Sequence, residues 1–240
     1  MKEIQFSVEV PTSLLKEICP LLDYDFIIAS TYLQDKEYRE HYLNQKGRYI
    51  ILDNGAFETG ESISTDDLFR VAGELTPNII VIPDARNSYE KTVDKFAEFF
   101  HRIPYESPRG IFMGVLQGRS LDDYEDLLDK YKKNNISLIG IPYGVIDRIT
   151  FIKNHPEVFF HVLGLPYFPE VLSLKHLPNI KSLDTSLPVK VAFNNQYLSN
   201  FDCLTAEIRP DVLTEAQVDI LKTNINCIKN VCKFSSRLEY

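Results

Sequence analysis

Four polar side chains in this 240-residue sequence lie at the ends of short runs that are mostly apolar, and their types suit acid–base and nucleophilic chemistry. Three are aspartates and one is a glutamine: Asp53 after residues 50–52, Asp84 after 81–83, Gln117 after 114–116 and Asp184 after 182–183. Carboxylates crowded in a low-dielectric site raise the pKa of at least one member, so one can act as nucleophile and another as general acid or base. This combination suits the cleavage of a glycosidic bond.

The elements that must position these side chains are eight short runs rich in Ile, Val, Leu and Phe. The runs begin near Gln5, Asp25, Arg48, Asn78, Gly110, Ser137, Phe159 and Ile180. Most are apolar at successive positions, which is typical of strands buried on both faces of a parallel sheet. The starts are spaced 20 to 32 residues apart, which fits one strand, one loop and one helix in each repeat.

Helix-start patterns occupy the intervals between these runs. They are Ser64-x-x-Asp67, Ser120-x-x-Asp123 and Thr214-x-x-Gln217, the last opening a helix that ends at about Lys233. Eight such units in 240 residues predict an α/β protein with a single (β/α)8 TIM barrel, and an open doubly wound sheet is the alternative.

We expect one domain over residues 1–240. It has a barrel over about 5–194, followed by a C-terminal irregular segment and helix over 195–240. The region from Val189 to Pro210 has the least regular pattern. Polar residues at the carboxyl ends of the strands are then expected to form the active site, as in other barrels of this class.

Composition limits the classes of partner. Lys and Arg number 26 against 34 Asp and Glu, for a net charge of −8, which argues against a non-specific coat of DNA or RNA. No apolar run approaches the roughly 20 residues that span a bilayer, and no signal peptide opens the chain. We therefore expect a cytoplasmic protein with no membrane partner. The four cysteines and five histidines are scattered, so we expect no metal site.

Four cations follow strands at the same ends as the aspartates. Arg86, Arg119, Arg148 and Lys190 come after the fourth, fifth, sixth and eighth runs. They are candidates for contacts with phosphates. The alternative is that they are solvated loop charges.

Five segments together resemble a known family. They are residues 53–57 (DNGAF), 114–118 (GVLQG), 139–141 (IGI), 161–165 (HVLGL) and 183–184 (LD). Their order and spacing resemble the motifs of the tRNA-guanine transglycosylase superfamily, especially its compact phage-type members, which insert 7-deazaguanines into DNA. The resemblance extends from about Phe26 to Asp184 and implies the same barrel.

The resemblance implies a role for each catalytic position. Asp184 is the implied nucleophile, which attacks C1′ of the target nucleotide, releases guanine and forms a covalent intermediate. Asp53 is the implied general acid and base for the leaving and incoming bases. The target nucleotide must leave its stack, so base flipping or a single-stranded substrate is implied. No cofactor is implied.

The resemblance also implies a set of residues that bind the base. Asp84 and Gln117 recognise the guanine edge, and a backbone amide near Gly140 adds a contact to O6. Phe57 and Leu163 cover the two faces of the ring. The full implied set is Phe57, Asp84, Gln117, Gly118, Gly140, Ile141, Leu163 and Gly164.

Departures from the tRNA-directed members favour a DNA substrate. Those enzymes carry a zinc site of three cysteines and a histidine after the nucleophile, and a more basic segment there. This chain has neither pattern, and residues 185–194 contain one lysine. It also has Asn54 and Ala56 where the tRNA enzymes more often have serine and a second glycine. DNA is therefore the favoured partner, with tRNA possible, and the base partner is guanine or a 7-deazaguanine.

Two other functions remain open at this point. The same carboxylates could hydrolyse N-glycosidic bonds of free nucleosides or nucleotides, with water as the acceptor. A catalytically inactive barrel could instead serve as a subunit of a modification complex. The presence of both Asp53 and Asp184 argues against the inactive barrel, and release of free base from a mononucleoside would identify the hydrolase. The favoured prediction is a base-exchange enzyme, a guanine transglycosylase-like pentosyltransferase of a bacterium or phage-infected cell.

Overall fold

The structure is a computed structural model that describes residues 3–106, 110–198 and 212–233, with the backbone alone for 104–106. The chain divides into two units. One unit is Asp25–Ile146. The other consists of Met1–Tyr24 together with Asp147–Tyr240.

Eight strands form one sheet, and each begins within two residues of its predicted start. They are β1 (Gln5–Val8), β2 (Asp25–Ile28), β3 (Ile50–Asp53), β4 (Ile79–Val81), β5 (Ile111–Val115), β6 (Leu138–Pro142), β7 (Phe159–Leu163) and β8 (Ile180–Thr185). The strand order is β1-β8-β7-β6-β5-β4-β3-β2. The apolar runs therefore predicted the strands correctly.

The position of β1 separates the two predicted architectures. β1 pairs in parallel with β8, and Ser7 is opposite Asp184 in the register. In an open doubly wound sheet the strand order reverses in the middle, and the first strand lies inside the sheet. Here the order descends from β8 to β2 without a reversal. The predicted (β/α)8 TIM-barrel fold class is confirmed, and the doubly wound alternative is wrong.

Helices separate the strands, as a (β/α)8 chain requires. They are α1 (Leu15–Ile18), α2 (Ala29–Gln34), α3 (Lys36–Asn44), α4 (Ala56–Thr59), α5 (Thr65–Leu75), α6 (Tyr89–Glu106), α7 (Leu121–Lys133), α8 (Arg148–Asn154), α9 (Phe168–Leu174), α10 (Leu187–Phe193) and α11 (Glu215–Lys233). Short 3-10 turns at Thr12–Leu14 and Cys19–Leu21 flank α1.

Side-chain caps start several of these helices where the sequence predicted them. The Ser64 hydroxyl accepts from the Asp67 amide at the start of α5. Ser120 and Asp123 form a reciprocal capping box at the start of α7. These contacts satisfy amides that have no partner inside the helix, a contribution of about 1 kcal/mol each.

In the Asp25–Ile146 unit, most strand residues are buried and helices lie close to them. Every residue of β4 is buried. On β5, a Cβ added at Gly114 would come within 2.7 Å of the Tyr131 ring of α7. The Tyr131 hydroxyl donates to the Val115 carbonyl at 2.9 Å. Only glycine therefore allows α7 to lie this close to β5.

In the other unit, the last helix covers β1. The predicted apolar face of α11 is buried at Val218, Leu221, Ile225 and Ile228, and α11 packs against α9, α10 and β1. The expectation of irregular structure from Val189 to Pro210 is wrong for its first part. Residues 187–193 form α10, because Pro188 stands in the first turn and the apolar side chains around it are buried. Residues 199–211 lie outside the described ranges.

No helix within these described ranges is both long and apolar enough to cross a membrane.

The Asp25–Arg48 ion pair provides a test of the fold. Asp25 is buried, and Arg48 donates from Nε and Nη2 to its carboxylate at 2.9–3.2 Å. Removing the guanidinium leaves a buried carboxylate without its cation. We expect Arg48→Met to lower the free energy of unfolding by about 2–3 kcal/mol, measured by urea denaturation.

Arg70→Met is the matched control, because Arg70 forms an exposed pair with Asp67 within α5. It should change the free energy of unfolding by less than about 0.5 kcal/mol. Equal effects of the two substitutions would contradict this interpretation of the buried pair.

Candidate functional site

Asp84 is the centre of a buried hydrogen-bond network after β4. It is 2% exposed. The Asn54 amide donates to Asp84 Oδ1 at 2.6 Å, and the Gln117 amide donates to Asp84 Oδ2 at 2.6 Å. Two of the predicted base-binding residues, Asp84 and Gln117, are thus in direct contact. Asn54 is a third member that was not predicted to take part.

Backbone amides fix the orientation of both side-chain amides. The Ala56 amide donates to Asn54 Oδ1 at 2.9 Å, and the Asn87 amide donates to Gln117 Oε1 at 3.0 Å. The amide nitrogens of Asn54 and Gln117 must therefore be directed at Asp84. Asp84 is held as an acceptor on both oxygens, which is the role of an ionised carboxylate.

Burial raises the pKa of Asp84 to about 6 from its ordinary value of 3.8. The hydrogen bonds from Asn54 and Gln117 and the charge of Lys95 act in the opposite direction but do not outweigh burial. The sequence predicted a raised pKa through crowding of like charges. A raised pKa is found, but its cause is loss of solvent rather than a second carboxylate. The carboxylate is predominantly charged at neutral pH.

Asp53 lies at the end of β3, one residue before Asn54, and is half-buried. Its Oδ2 accepts from the Gly55 amide at 2.8 Å. Gly55 has a φ of 80°, and a Cβ there would lie 2.5 Å from the Ser30 hydroxyl oxygen. The positive φ and the close approach of Ser30 both require glycine at this turn. The Gly55 amide in turn fixes the Asp53 carboxylate.

Phe57 and Arg86 form an exposed pair beyond this turn. Phe57 is 67% exposed, and the guanidinium of Arg86 lies over its ring, 4.5 Å from the centroid. Arg119 is also exposed, and its Nε donates to the Asn87 carbonyl at 3.3 Å. Cation–π contact of this kind leaves the guanidinium accessible to an anion. The phosphate contacts proposed for Arg86 and Arg119 stay predictions.

Three further predicted residues of this unit lie in or beside strands. Gly140 and Ile141 are buried in β6, and the Gly140 carbonyl accepts from the Leu116 amide at 3.0 Å. A Cβ at Gly118 would lie 2.3 Å from that of Asp123, so glycine there permits the close start of α7. Contacts of these three residues with a base stay predictions.

In the other unit, Asp184 is buried at the end of β8 and is bonded to a histidine. Asp184 Oδ1 lies 3.0 Å from His161 Nε2. His161 Nδ1 lies 2.7 Å from the Ser182 hydroxyl. Asp184 is 2% exposed, His161 0% and Ser182 6%. The implied nucleophile is therefore one end of a chain of three buried polar side chains that runs from Ser182 of β8 through His161 of β7 to Asp184 of β8.

Tyr24 borders the same cluster. Its hydroxyl donates to the Leu183 carbonyl at 2.7 Å, and its ring meets the His161 imidazole edge-on, with centroids 6.4 Å apart. Burial, together with the nearby charge of Asp184, raises the pKa of Tyr24 well above its usual value of 10. Tyr24 is therefore a neutral donor at physiological pH.

The prediction that Arg148 contacts phosphate is wrong. Arg148 is 3% exposed. It donates to both oxygens of the Glu170 carboxylate at 2.6 and 2.7 Å, and to the carbonyls of Leu163 and Gly164 at 2.9 and 2.7 Å. A guanidinium committed to these acceptors is not available to a solvent-borne phosphate. It fixes the end of β7 instead.

The remaining candidate site residues of this unit are Leu163, Gly164 and Lys190. Leu163 is half-buried at the end of β7, and Gly164 has a φ of 64°, so the chain turns sharply after the strand. Lys190 is half-buried in α10. The contact of Leu163 and Gly164 with a base and of Lys190 with phosphate stay predictions.

Sequence reasoning missed Asn54, His161, Ser182 and the Arg148–Glu170 pair. Ser182 is two residues before Asp184, so both side chains lie on one face of β8. The alternation of Ser182 and Asp184 on one face of β8 was the available signal. Within the described ranges, no group of three or more His, Cys, Asp or Glu side chains is arranged to hold a metal ion.

Comparisons with known proteins are limited to the level of the fold. No protein-family model matches the chain, and no curated protein matches it. Among solved structures, a chain described as CdNal from Clostridium difficile in complex with mannosamine is similar, with a TM-score of 0.47 and 14% identity. The match covers 78% of this chain and 70% of that one. The (β/α)8 fold itself is characteristic of enzymes.

The raised pKa of Asp84 predicts a pH-dependent term in stability. A carboxyl group with a raised folded-state pKa stabilises the fold below about pH 4, and this contribution is lost as pH rises through about 6. We expect the free energy of unfolding of the wild type, minus that of Asp84→Asn, to fall by roughly 3 kcal/mol over this range. The measurement is urea unfolding at several pH values.

Asp122→Asn, at an exposed position in the first turn of α7, is the control and should give a difference that is flat between pH 4 and 6. A difference for Asp84→Asn that is flat as well, or that rises with pH, would show that burial does not raise this pKa.

Proposed function

We propose that the protein exchanges guanine in nucleic acid, DNA in preference to tRNA, for a 7-deazaguanine through a covalent Asp184 intermediate. The observation that carries the proposal is the double-acceptor state of Asp84, which two oriented amides impose. This is a site for a ligand edge with adjacent N–H donors. The resemblance of the motifs to guanine transglycosylases supports the same assignment.

Guanine presents such an edge through its N1–H and N2–H groups. Asn54 and Gln117 each use one lone pair of the Asp84 carboxylate, and each carboxylate oxygen has two. The carboxylate can therefore accept two more hydrogen bonds from a base. The second amide hydrogen of Gln117 is suited to donate to O6 of guanine. A base that has a hydrogen-bond acceptor in place of N1–H is disfavoured, because the Asp84 carboxylate can only accept.

The chemistry is a double displacement. A carboxylate oxygen of Asp184 attacks C1′, the C1′–N9 bond breaks, and its electron pair leaves with guanine, which takes a proton from Asp53. In the second half, the incoming base gives its ring N–H proton to Asp53 and attacks C1′. The C1′–O bond then breaks and its electron pair returns to Asp184. Protons and charge balance over the cycle.

The burial of Asp84 and Asp184 favours a nucleotide that is flipped or unpaired over one that stays stacked. Stacking of a neighbouring base on the exposed Phe57–Arg86 pair would offset part of the cost of unstacking. Water as the acceptor would give the hydrolase instead, and the first experiment separates the two reactions by their products.

We expect folded wild-type protein to incorporate labelled guanine or 7-deazaguanine into an oligonucleotide. Asp184→Asn should abolish the covalent adduct on a denaturing gel and lower exchange by at least about 10³-fold. Asp53→Asn should let the adduct form and accumulate, because the incoming base can no longer give its ring N–H proton to residue 53. Asp122→Asn again serves as the control.

DNA and tRNA are compared as polymers, and a mononucleoside is added as a third substrate. Incorporation of label into tRNA alone would show that tRNA, and not DNA, is the substrate. Release of free base from the mononucleoside would establish the hydrolase. The absence of label from both polymers, with folded protein, would refute base exchange.

Contact with phosphates predicts that binding weakens steeply with salt. With the Asp184→Asn protein and single-stranded DNA, we expect Arg86→Gln and Arg119→Gln each to reduce the slope of log K against log salt by about 0.7. Lys133→Gln, at the far end of α7, should leave the slope unchanged. Binding that does not depend on salt would count against a polynucleotide substrate.

A further inference from the structure

The hydrogen-bonded chain Ser182–His161–Asp184 is a feature that the base-exchange scheme does not use. Its two contacts measure 2.7 Å and 3.0 Å. His161 is on β7, opposite Ser182 of β8 in the register. Asp184 is two residues further along β8 and therefore nearer its carboxyl end. His161 and Ser182 thus lie behind Asp184, on the side away from the strand ends.

The chemistry of the partners specifies the tautomer of the imidazole. An ionised carboxylate only accepts hydrogen bonds, so the contact with Asp184 Oδ1 requires hydrogen on Nε2. Nδ1 of a neutral imidazole then accepts, and the Ser182 hydroxyl is its donor. Tyr24 packs edge-on against the imidazole. Ring position, tautomer and donor direction are therefore all fixed within the buried interior of this unit.

This arrangement differs from that of a serine hydrolase. There, serine is the exposed nucleophile and the carboxylate is the buried member that orients histidine. Here Ser182 is buried three residues before the strand end, and Asp184, one residue before it, is the member of the three nearest that end. The order points to the carboxylate as the group that reacts.

We propose that His161 is a positioning residue for Asp184, which holds Oδ1 and directs Oδ2 at C1′, with Ser182 maintaining the required tautomer. This inference rests on the proposed function. In the covalent intermediate, Oδ2 is the ester oxygen bonded to C1′ and Oδ1 is the carbonyl oxygen, which still accepts from Nε2–H. When the incoming base attacks, the C1′–Oδ2 bond breaks and its electron pair returns to the carboxylate. The hydrogen bond to Oδ1 stabilises this developing charge.

The principal consequence concerns breakdown of the adduct. Loss of the donor should slow departure of the carboxylate more than it weakens binding of nucleic acid. His161→Asn shortens the side chain and removes the donor to Oδ1. His161→Gln places an amide N–H about as far from Cα as imidazole Nε2 and should restore the donor. His176→Asn, at an exposed position before β8, is the matched control.

The experiment measures kcat, KM and the single-turnover decay of the trapped adduct when excess free base is added. For His161→Asn we expect kcat and adduct decay to fall about 10- to 100-fold, with KM changed by less than about threefold. His161→Gln should recover to within about fivefold of wild type, and His176→Asn should match wild type. Ser182→Ala should slow decay by about three- to tenfold, because the tautomer is no longer imposed.

A second readout does not depend on activity. Nitrogen-15 NMR of the histidine ring in wild-type protein should show His161 neutral, with hydrogen on Nε2. Ser182→Ala should shift part of the population to the Nδ1–H form. If His161→Asn does not fold, the kinetics of His161→Gln and Ser182→Ala, together with these spectra, distinguish a positioning role of His161 from a structural one.

The outcomes separate the two proposals. Exchange by the wild type that is indifferent to His161→Asn, or an imidazole with hydrogen on Nδ1 alone or on both nitrogens, would overturn the positioning role and leave base exchange intact. Equal losses in His161→Asn and His161→Gln would show a merely structural role. Absence of exchange in the wild type would overturn the proposed function and this inference with it.

Discussion

A buried carboxylate needs hydrogen-bond donors whose orientation is fixed, and this requirement organises the polar interior of both units. Asp84, Asp184 and Glu170 are each less than 5% exposed. Each is bonded to a side chain that other groups hold in place. Asn54 and Gln117 are held by backbone amides, and His161 is held by Ser182. The donors to Asp84 come from the residues that follow β3 and β5, whereas the donor to Glu170 comes from the start of α8 and the donor to Asp184 from β7 itself.

The type of donor determines what each carboxylate can do. Glu170 receives a guanidinium on both oxygens, so its charge is neutralised and it has a structural role. Asp84 receives only neutral amides, which do not compensate for burial, and its pKa rises to about 6. An ionised group of this kind gains from any ligand that adds donors. In the proposed function, the substrate supplies the additional donors to Asp84.

The strands were predictable because their signal is local. Each run is apolar at successive positions, so burial on both faces could be read without knowing its neighbours, and the starts agree within two residues. The caps at Ser64 and Ser120 are local as well. The polar ends of β3, β4, β5 and β8 followed from the same pattern, and the structure places two of these side chains, Asp84 and Gln117, in direct contact.

What could not be predicted depends on partners distant in sequence. Arg148 follows β6 like a solvated loop cation, but Glu170, 22 residues later, determines that it is buried. His161 lies in an apolar run and reads as a core residue until Ser182 and Asp184 are placed beside it. α10 was missed because its apolar face is only seven residues long and contains a proline, a pattern shared by irregular segments.

Because Arg148 is not a phosphate ligand, the proposed binding of nucleic acid would have fewer phosphate contacts than the sequence predicts. The net charge is −8, and of the four cations proposed at the strand ends one is committed to Glu170. Long-range attraction of a polyanion is then weak. In the proposed base exchange, affinity must come chiefly from capture of the extruded base, through Asp84 and its two amides and through stacking. Recognition would then depend on the base that enters the site rather than on the sugar–phosphate backbone. A base-exchange enzyme requires this selectivity.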